Sequence, residues 1–426
     1  MTRLAIIGTG YVGLTTGACF AHLGHDVVCA DIDPDKVERL NRGEITIVEH
    51  RLDELVADGL RRGNLRFVVG GENAVADCEI AFLCVPTPQG DDGSADLSYV
   101  QAACQQIAAV LPYEAILVNK STVPVGSTKV VERVLKRPDV RVVSNPEFLR
   151  EGSAVDDFLK PDRVVVGSED RAAAIAVGAL YDGVRAQVIV TDPASAETIK
   201  YAANAFLAMK LSFINAIAAI CEGVGADVND VVVGMGYDKR IGTEFLRPGP
   251  GWGGSCFPKD SRALLKIANE AGYRFDLLAG VITVNEEQFD RVAGKIRTAA
   301  GGDLQGATVA VWGLTFKART DDLRDSPSVS IIQRLVAAGA TVRAFDPTVG
   351  APKPGVPDGI VLCADAYDAT DGADVLAVLT EWDDFRWLDP AQVAGRMKGR
   401  QVVDGRNILD RTDWQRAGFS HQGIGR

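Results

Sequence analysis

The sequence predicts an α/β protein: two Rossmann-like, doubly wound domains joined by a central helical domain with a long connecting helix. Three observations lead there. Short β-rich runs alternate with helix-like stretches through the first half of the chain. A long apolar helical segment interrupts them after residue 193, and the alternation returns near residue 300. Alternating β and α units imply a mostly parallel sheet with helices on both faces.

In order, residues 4–7, 26–30, 80–85, 115–119 and 140–144 read as buried parallel strands, with helices at 97–111 and 127–135 between them. Residues 163–166 and 187–190 add two strands, so the first domain is expected to span 1–193. Residues 194–223 form the long helix, followed by shorter ones at 228–235 and 262–271. The loop Arg247-Pro248-Gly249-Pro250-Gly251-Trp252-Gly253-Gly254 lies between those two. Long glycine- and proline-rich loops inside compact domains are usually functional. A central domain over 194–300 follows from this pattern. In 301–426, strands at 308–312, 341–345, 374–379 and 401–403 and a helix at 326–338 rebuild the α/β pattern.

Composition narrows the function. The 426 residues carry 45 basic and 57 acidic side chains, a net charge of −12, which argues against nucleic acid or an anionic membrane as partner. Eight cysteines, none in a CxxC pair, are too sparse for a disulfide scaffold. Four histidines (His22, His25, His50, His421) have no metal-binding spacing, so no metal is expected and a catalytic base would be a lysine or carboxylate. The apolar run at 4–7 is too short for a signal peptide. The long helix carries Glu197, Lys200, Asn204, Lys210 and Asn215, too polar a set for a membrane span. A soluble cytoplasmic protein is the expectation.

The first strand runs into Gly8-Thr9-Gly10-Tyr11-Val12-Gly13, a GxGxxG in the context that gives it meaning. Gly8 allows the tight turn, Gly10 lets the backbone approach a pyrophosphate, and Gly13 lets the helix pack on the strand, so that its N-terminus faces the phosphates. Asp31 closes the second strand at the distance where a carboxylate accepts from the adenosine ribose 2′-OH and repels a 2′-phosphate. NAD is therefore expected rather than NADP. In the second half, Gly313-Leu314-Thr315-Phe316-Lys317 has bulky residues in place of the phosphate-approach glycines, which argues against a second dinucleotide. Phe316 beside Lys317 suits a base and a phosphate, or is a core ring next to a solvated lysine.

Cys256 lies in Gly253-Gly254-Ser255-Cys256-Phe257-Pro258-Lys259-Asp260, just before the helix expected from about Ser261. A thiol near a helix N-terminus and a lysine gains thiolate character, and such a thiol can capture an aldehyde for a second oxidation. Asp260 would orient a catalytic group or cap the helix. Lys200 and Asn204 share a helix face and can hold an alkoxide or a water. Glu147 and Glu151, in Asn145-Pro146-Glu147-Phe148-Leu149-Arg150-Glu151, follow a strand C-terminus where open α/β sheets bind ligands. A helix capped by Asn145 and Pro146 would instead make both glutamates dipole partners. Ser121 and Thr122, after another strand end, would donate to a ligand or close a turn.

With these residues assembled, the chain resembles the nucleotide-sugar dehydrogenases, and within them the branch that oxidises UDP-glucose. The resemblance runs from GTGYVG to Val403-Asp404-Gly405-Arg406-Asn407, with SNPEFLREG, the Lys200–Asn204 pair, GGSCFPKD and GLTFK its most specific matches. It implies oxidation of the sugar C6 alcohol to a carboxylate with two NAD⁺ and no released aldehyde. By this resemblance Cys256 forms the thiohemiacetal and thioester, Lys200 steadies the C6 oxyanion, and Asn204 holds the sugar. Asp260 and Thr122 position a water, and Glu147 is the acid/base for thioester hydrolysis. The same resemblance implies substrate contacts at Glu147, Phe148, Leu149, Lys200, Asn204, Phe245 to Gly253, Phe316, Lys317 and Arg406. Arg240 would reach the partner's site in a homodimer. NAD contacts are implied at Gly8, Gly10, Tyr11, Val12, Gly13, Asp31, Lys36, Thr87, Ser121, Thr122, Glu151, Lys259 and Arg324. The middle domain would then serve dimerisation and the active site, and the last would bind the nucleotide sugar.

The chain departs from that pattern in two places. Trp252 stands for a common phenylalanine, and residues 44–50 lack the usual Tyr-Glu-Pro, so no role is assigned there. A GDP-mannose or thymidine diphosphate sugar is the alternative substrate. A one-step hydroxyacid dehydrogenase and a non-catalytic NAD-responsive regulator are the alternative classes.

Overall fold

The structure, a computed structural model, describes residues 1–90 and 95–426. The chain divides into two compact units, one of residues 1–203 with 262–271, the other of 204–261 with 272–426. The first is built on an eight-stranded sheet: β1 (Arg3–Ile7), β2 (Asp26–Asp31), β3 (Leu65–Val69), β4 (Ile80–Leu83), β5 (Ile116–Asn119), β6 (Arg141–Ser144), β7 (Arg163–Gly167) and β8 (Gln187–Thr191). Their spatial order is β3-β2-β1-β4-β5-β6-β7-β8. The central strands are apolar because both faces are covered. In β1, Leu4 and Ile6 enter a core with Phe20 and Phe82, whereas Ala5 and Ile7 enter another with Leu83 and Ile107.

Two features of this sheet differ from the expectation. β6 and β7 pair antiparallel, through Ser144 and Gly167 alone, so β3 to β6 run parallel to one another while β7 and β8, parallel to each other, run the opposite way. Composition does not distinguish strand direction; the connection through the short Ala154–Leu159 helix sets it. β3 and the Leu52–Arg62 helix before it were not foreseen. That helix is strongly charged on its outer face, and its apolar residues Leu52, Leu55, Val56 and Gly59 form only a narrow buried stripe.

The second unit carries a six-stranded, all-parallel sheet: β9 (Thr308–Trp312), β10 (Thr341–Phe345), β11 (Ile360–Leu362), β12 (Val375–Val378), β13 (Gln401–Asp404) and β14 (Ser420–Gln422), ordered β11-β10-β9-β12-β13-β14. β9 repeats the division of β1. Val309 and Val311 face one core and Ala310 and Trp312 the other. In both sheets the strand order reverses beside the first strand, the place where a ligand crevice opens at the carboxyl ends.

The long helix is Pro193–Val224, 32 residues. It is the one helix among the described residues long and apolar enough, by length and composition, to cross a membrane. Its polar residues are nevertheless committed to protein partners. Glu197 accepts from Gly126 and Thr128, and Asn215 accepts from the Gly249 N–H. The unforeseen Asp276–Ala299 helix packs on the Pro327–Ala337 helix within the second unit.

Candidate active site

In the first unit, the turn after β1 has the geometry a pyrophosphate requires. Gly8 holds φ +96°, and a Cβ there would strike the Cys84 carbonyl at 2.7 Å. At Gly13 a Cβ would lie 1.9 Å from the Gly8 carbonyl oxygen, so the Tyr11–His22 helix packs at glycine distance. At Gly10 a Cβ would meet nothing within 4 Å. The open space above Gly10, at the helix start, is a cradle for phosphate oxygens. Asp31 ends β2, where it accepts from the Thr9 N–H (3.1 Å) and hydroxyl (2.5 Å) and from Lys36 Nζ (2.9 Å). Burial pushes its pKa up, but the Thr9 hydrogen bond and the Lys36 ammonium more than offset this, leaving a lowered value and an ionised carboxylate. These residues fit the adenosine half of NAD.

Thr87 and Ser121 stitch the loops after β4 and β5 together. The Thr87 hydroxyl donates to the Thr122 carbonyl and the Ser121 hydroxyl to that of Val85. Turn closure is thus the role seen for Ser121, and Thr122 lies half-buried beside it. Tyr11 is tied by its hydroxyl to Glu49 and to the Gly152 N–H.

Glu147 lies in an extended loop after β6, not in a helix, so the capped-helix alternative for residues 145–151 falls away. Its buried carboxylate takes Lys200 Nζ on Oε1 at 3.0 Å and the Leu149 N–H on Oε2 at 2.6 Å. Burial opposes ionisation. The charge and hydrogen bond of Lys200 outweigh it, helped by Leu149 and Lys120, and the carboxyl sits below its ordinary value. Breaking such a pair from one side costs roughly 3–5 kcal/mol. Phe148 is flanked by Arg163, whose guanidinium lies 3.7 Å from the ring centroid, and by Lys200 at 5.4 Å. Glu151 is in the turn beyond, half-buried.

In the second unit, Cys256 immediately precedes the Phe257–Glu270 helix, which starts four residues earlier than expected. Pro258 is tolerated in the first turn because its missing N–H would have no helical partner there. Cys256 is half-buried, and its sulfur lies 3.5 Å from the Ser255 hydroxyl; the other seven cysteines are buried. Asp260 is fully buried within the helix's first turn and is no N-cap. It accepts from Asn204 Nδ2 at 2.6 Å and from Lys259 Nζ at 2.5 Å. Asn204 stands one turn beyond Lys200 on the same continuous helix.

The glycine loop is held from behind. Trp252 is buried, with its indole N–H on the Ser212 hydroxyl and its backbone N–H on Asn285. Gly253 lies where a Cβ would be 1.9 Å from the Asp325 carbonyl oxygen, and Phe316 covers Gly254. Phe245 adopts φ +61°, a strained conformation for an aromatic residue, beside Phe257. Arg406 donates to the Leu379 and Phe316 carbonyls, and Lys317 lies over the Phe316 ring. Arg240 is exposed and paired with Asp238, and Arg324 is paired with Asp322.

Sequence reasoning missed Glu49. This buried glutamate accepts from the Gly152 and Ala154 N–H groups and contacts Tyr11, joining the dinucleotide turn to the loop that carries Glu147. It lies in the segment that departs from the expected pattern, and no spacing rule reaches partners a hundred residues away.

Three family models match the chain. They describe the UDP-glucose/GDP-mannose dehydrogenase family: its NAD binding domain over residues 2–185, its central domain over 194–287 and its UDP binding domain over 310–411. The UDP-glucose 6-dehydrogenase of Rhizobium meliloti is 46% identical, over 100% of this chain and 99% of that protein. That of Pseudomonas aeruginosa is 45% identical, over 100% and 97%. Among solved structures, a UDP-glucose dehydrogenase from Pyrobaculum islandicum superposes with a TM-score of 0.92 at 36% identity, covering 100% of this chain and 98% of that one. A UDP-D-ManNAc dehydrogenase from Pyrococcus horikoshii gives 0.88 at 28%, covering 100% and 99%. With an NAD cradle at β1 and all three family domains matched in order, the chain belongs to the UDP-glucose/GDP-mannose dehydrogenase family and is an NAD-dependent dehydrogenase.

Proposed function

We propose that the protein oxidises the C6 alcohol of UDP-glucose to the carboxylate of UDP-glucuronate through a covalent intermediate on Cys256. The observation that carries this reading is Cys256 just before the Phe257–Glu270 helix, one turn ahead of the buried Asp260–Asn204 pair that Lys259 joins. A one-step dehydrogenase needs no such thiol.

Bound NAD⁺ supplies the hydride acceptor for each of the two oxidations. Lys200, as the ammonium, steadies the C6 oxygen while the alcohol loses a hydride from C6, releases its hydroxyl proton to solvent water and becomes an aldehyde. The Cys256 thiolate then adds to the aldehyde carbon, forming a C–S bond and an oxyanion held by Lys200 and Asn204. Loss of a second hydride converts this thiohemiacetal to a thioester. Water, positioned by Asp260 and Thr122 and deprotonated by Glu147, adds to the thioester carbon. The C–S bond breaks and Cys256 is restored. One alcohol, two NAD⁺ and one water thus give one carboxylate, two NADH and three protons.

Substrate contacts are assigned to Phe148, Leu149, the loop from Phe245 to Gly253, Phe316, Lys317 and Arg406. Cofactor contacts are assigned to the glycine turn, Asp31, Lys36, Thr87, Ser121, Glu151, Lys259 and Arg324. The functional division follows residues 1–193, 194–300 and 301–426. The enzyme works as a homodimer in the cytoplasm, without a membrane or nucleic-acid partner. Phe206, Phe213 and Ile220 are exposed at seven-residue spacing on the long helix, with Tyr237 and Ile241 exposed further along the chain. An apolar stripe of this kind supports pairing with a second copy, and Arg240 would enter the partner's site.

The test is NADH formed per UDP-glucose consumed with excess NAD⁺, in wild type and Cys256→Ala. Two NADH per sugar, lost in the variant, is the expected result. One per sugar, indifferent to the variant, would overturn the thioester route. No NADH from UDP-glucose but turnover of GDP-mannose or a thymidine diphosphate sugar would overturn the substrate.

A further inference from the structure

Lys120, just past the end of β5, is 3% exposed and has no assigned part in the reaction. Its ammonium donates to Asn145 Oδ1 and to the Tyr181 hydroxyl, each at 3.1 Å, and lies 6.0 and 5.8 Å from the ring centroids of Phe158 and Tyr181. Among the described residues no carboxylate forms an ion pair with it. A buried, unpaired cation is expensive, and a neutral side chain would fill the same space at lower cost. Its neighbours suggest what offsets that cost. Asn145 is two residues before Glu147, and its position is set by Lys120, Tyr181 and the Val165 carbonyl.

We propose that Lys120 is a positioning residue for thioester hydrolysis: it holds the Asn145-Pro146-Glu147 loop through Asn145 and supplies the positive charge that Glu147 faces once Lys200 turns to the substrate. This rests on the reading of Glu147 as the hydrolytic base. In the structure Lys200 is bound to Glu147, yet the proposed chemistry requires Lys200 at the C6 oxygen. Glu147 then loses its nearest cation while remaining buried, and burial alone favours the protonated, inactive carboxyl. The charged and titratable groups around it are Lys200 from the long helix, Lys120 after β5 and Cys84 after β4, with Arg163 of β7 over the adjoining Phe148. Cys84 is pushed up to about 12 by burial against the opposing field of Lys120 and is neutral. Lys120, held to the same loop through Asn145, is thus a buried cation whose charge still acts on Glu147.

The experiment follows loss of the sugar adduct from Cys256 by intact mass after a pulse of UDP-glucose and NAD⁺, between pH 5 and 9. It compares wild type, Lys120→Met, Lys120→Gln, Tyr181→Phe and Glu147→Gln. Removing the charge should raise the pH at which Glu147 ionises. The acidic limb should move up by about one pH unit in both Lys120 variants, slowing hydrolysis ~10-fold on that limb and little at pH 9. Tyr181→Phe removes a hydrogen bond but keeps the charge, and its limb should stay in place. If Lys120→Met does not fold, Lys120→Gln, which keeps an amide donor towards Asn145, carries the test. Limbs unmoved in the Lys120 variants but abolished in Glu147→Gln would overturn the proposal and spare the reading of Glu147. A limb that survives in Glu147→Gln would overturn both.

Discussion

The turns after β1 and β9 are built alike and serve different ends. Gly8 and Gly313 both hold φ +96°, and in each sheet an aspartate from the adjacent strand end accepts hydrogen bonds from the turn. Asp31 takes Thr9, while Asp346 takes the N–H groups of Leu314 and Thr315 and the Thr315 hydroxyl. The difference is access. The Asp31 side chain is 13% exposed beside Lys36, and Gly10 opens onto free space. Asp346 is 1% exposed, with its remaining capacity taken by Thr348 and the Trp382 indole, and Phe316 of the same turn packs on Gly254. One backbone device therefore leaves an accessible carboxylate in one sheet and makes an internal brace in the other. Whether the carboxylate can still accept a hydrogen bond decides which.

The largest effect should come from Gly13→Ala. A methyl group 1.9 Å from a carbonyl oxygen must displace the helix, so NAD affinity should fall at least ~100-fold by calorimetry, with a stability loss of about 3 kcal/mol or more. Asp346→Asn should come next and act on stability alone. Replacing a buried acceptor of this many donors should cost about 2–4 kcal/mol in urea unfolding while the Kd for NADH stays unchanged. A change in NADH affinity there would break the distinction between brace and acceptor.

Asp31→Asn should do the reverse, weakening NAD ~10-fold and narrowing its advantage over NADP with little loss of stability. Smallest of all should be the response to pH. The folded value of Asp31 is depressed, so its stabilising contribution is complete above the unfolded value of about 3.9 and is lost only as pH falls through the lower folded value. NAD affinity should accordingly vary less than ~2-fold between pH 5 and 8. A titration in that window would remove Asp31 as an ionised acceptor.

The same contrast shows why some of the molecule was legible and some was not. Gly8, Gly10, Gly13 and Asp31 could be read because their geometry is local or one strand away, and Leu314 to Phe316 could be read as unlike a dinucleotide turn because bulk is visible in a sequence. The start of the Phe257–Glu270 helix was placed too late because Pro258 reads as a breaker until it is recognised as a first-turn residue. The reversed direction of β7, the Asp276–Ala299 helix and the bridge made by Glu49 had no local signature. Each depends on what the rest of the chain places opposite.

From its sequence alone this protein reads as an α/β chain with a dinucleotide turn, a cysteine in a glycine loop and a lysine and asparagine on one helix face. Periodicity, turn chemistry and spacing act over a few residues and need no partner. Only the tertiary structure decides that Glu147 meets Lys200 across 53 residues and that Asp260 meets Asn204 across 56. It also leaves Lys120 buried without an ion pair among the described residues. A buried charge is costly unless folding supplies a counterpart or hydrogen-bond partners, and which residues become partners depends on where the loops after β4, β5 and β6 come to rest.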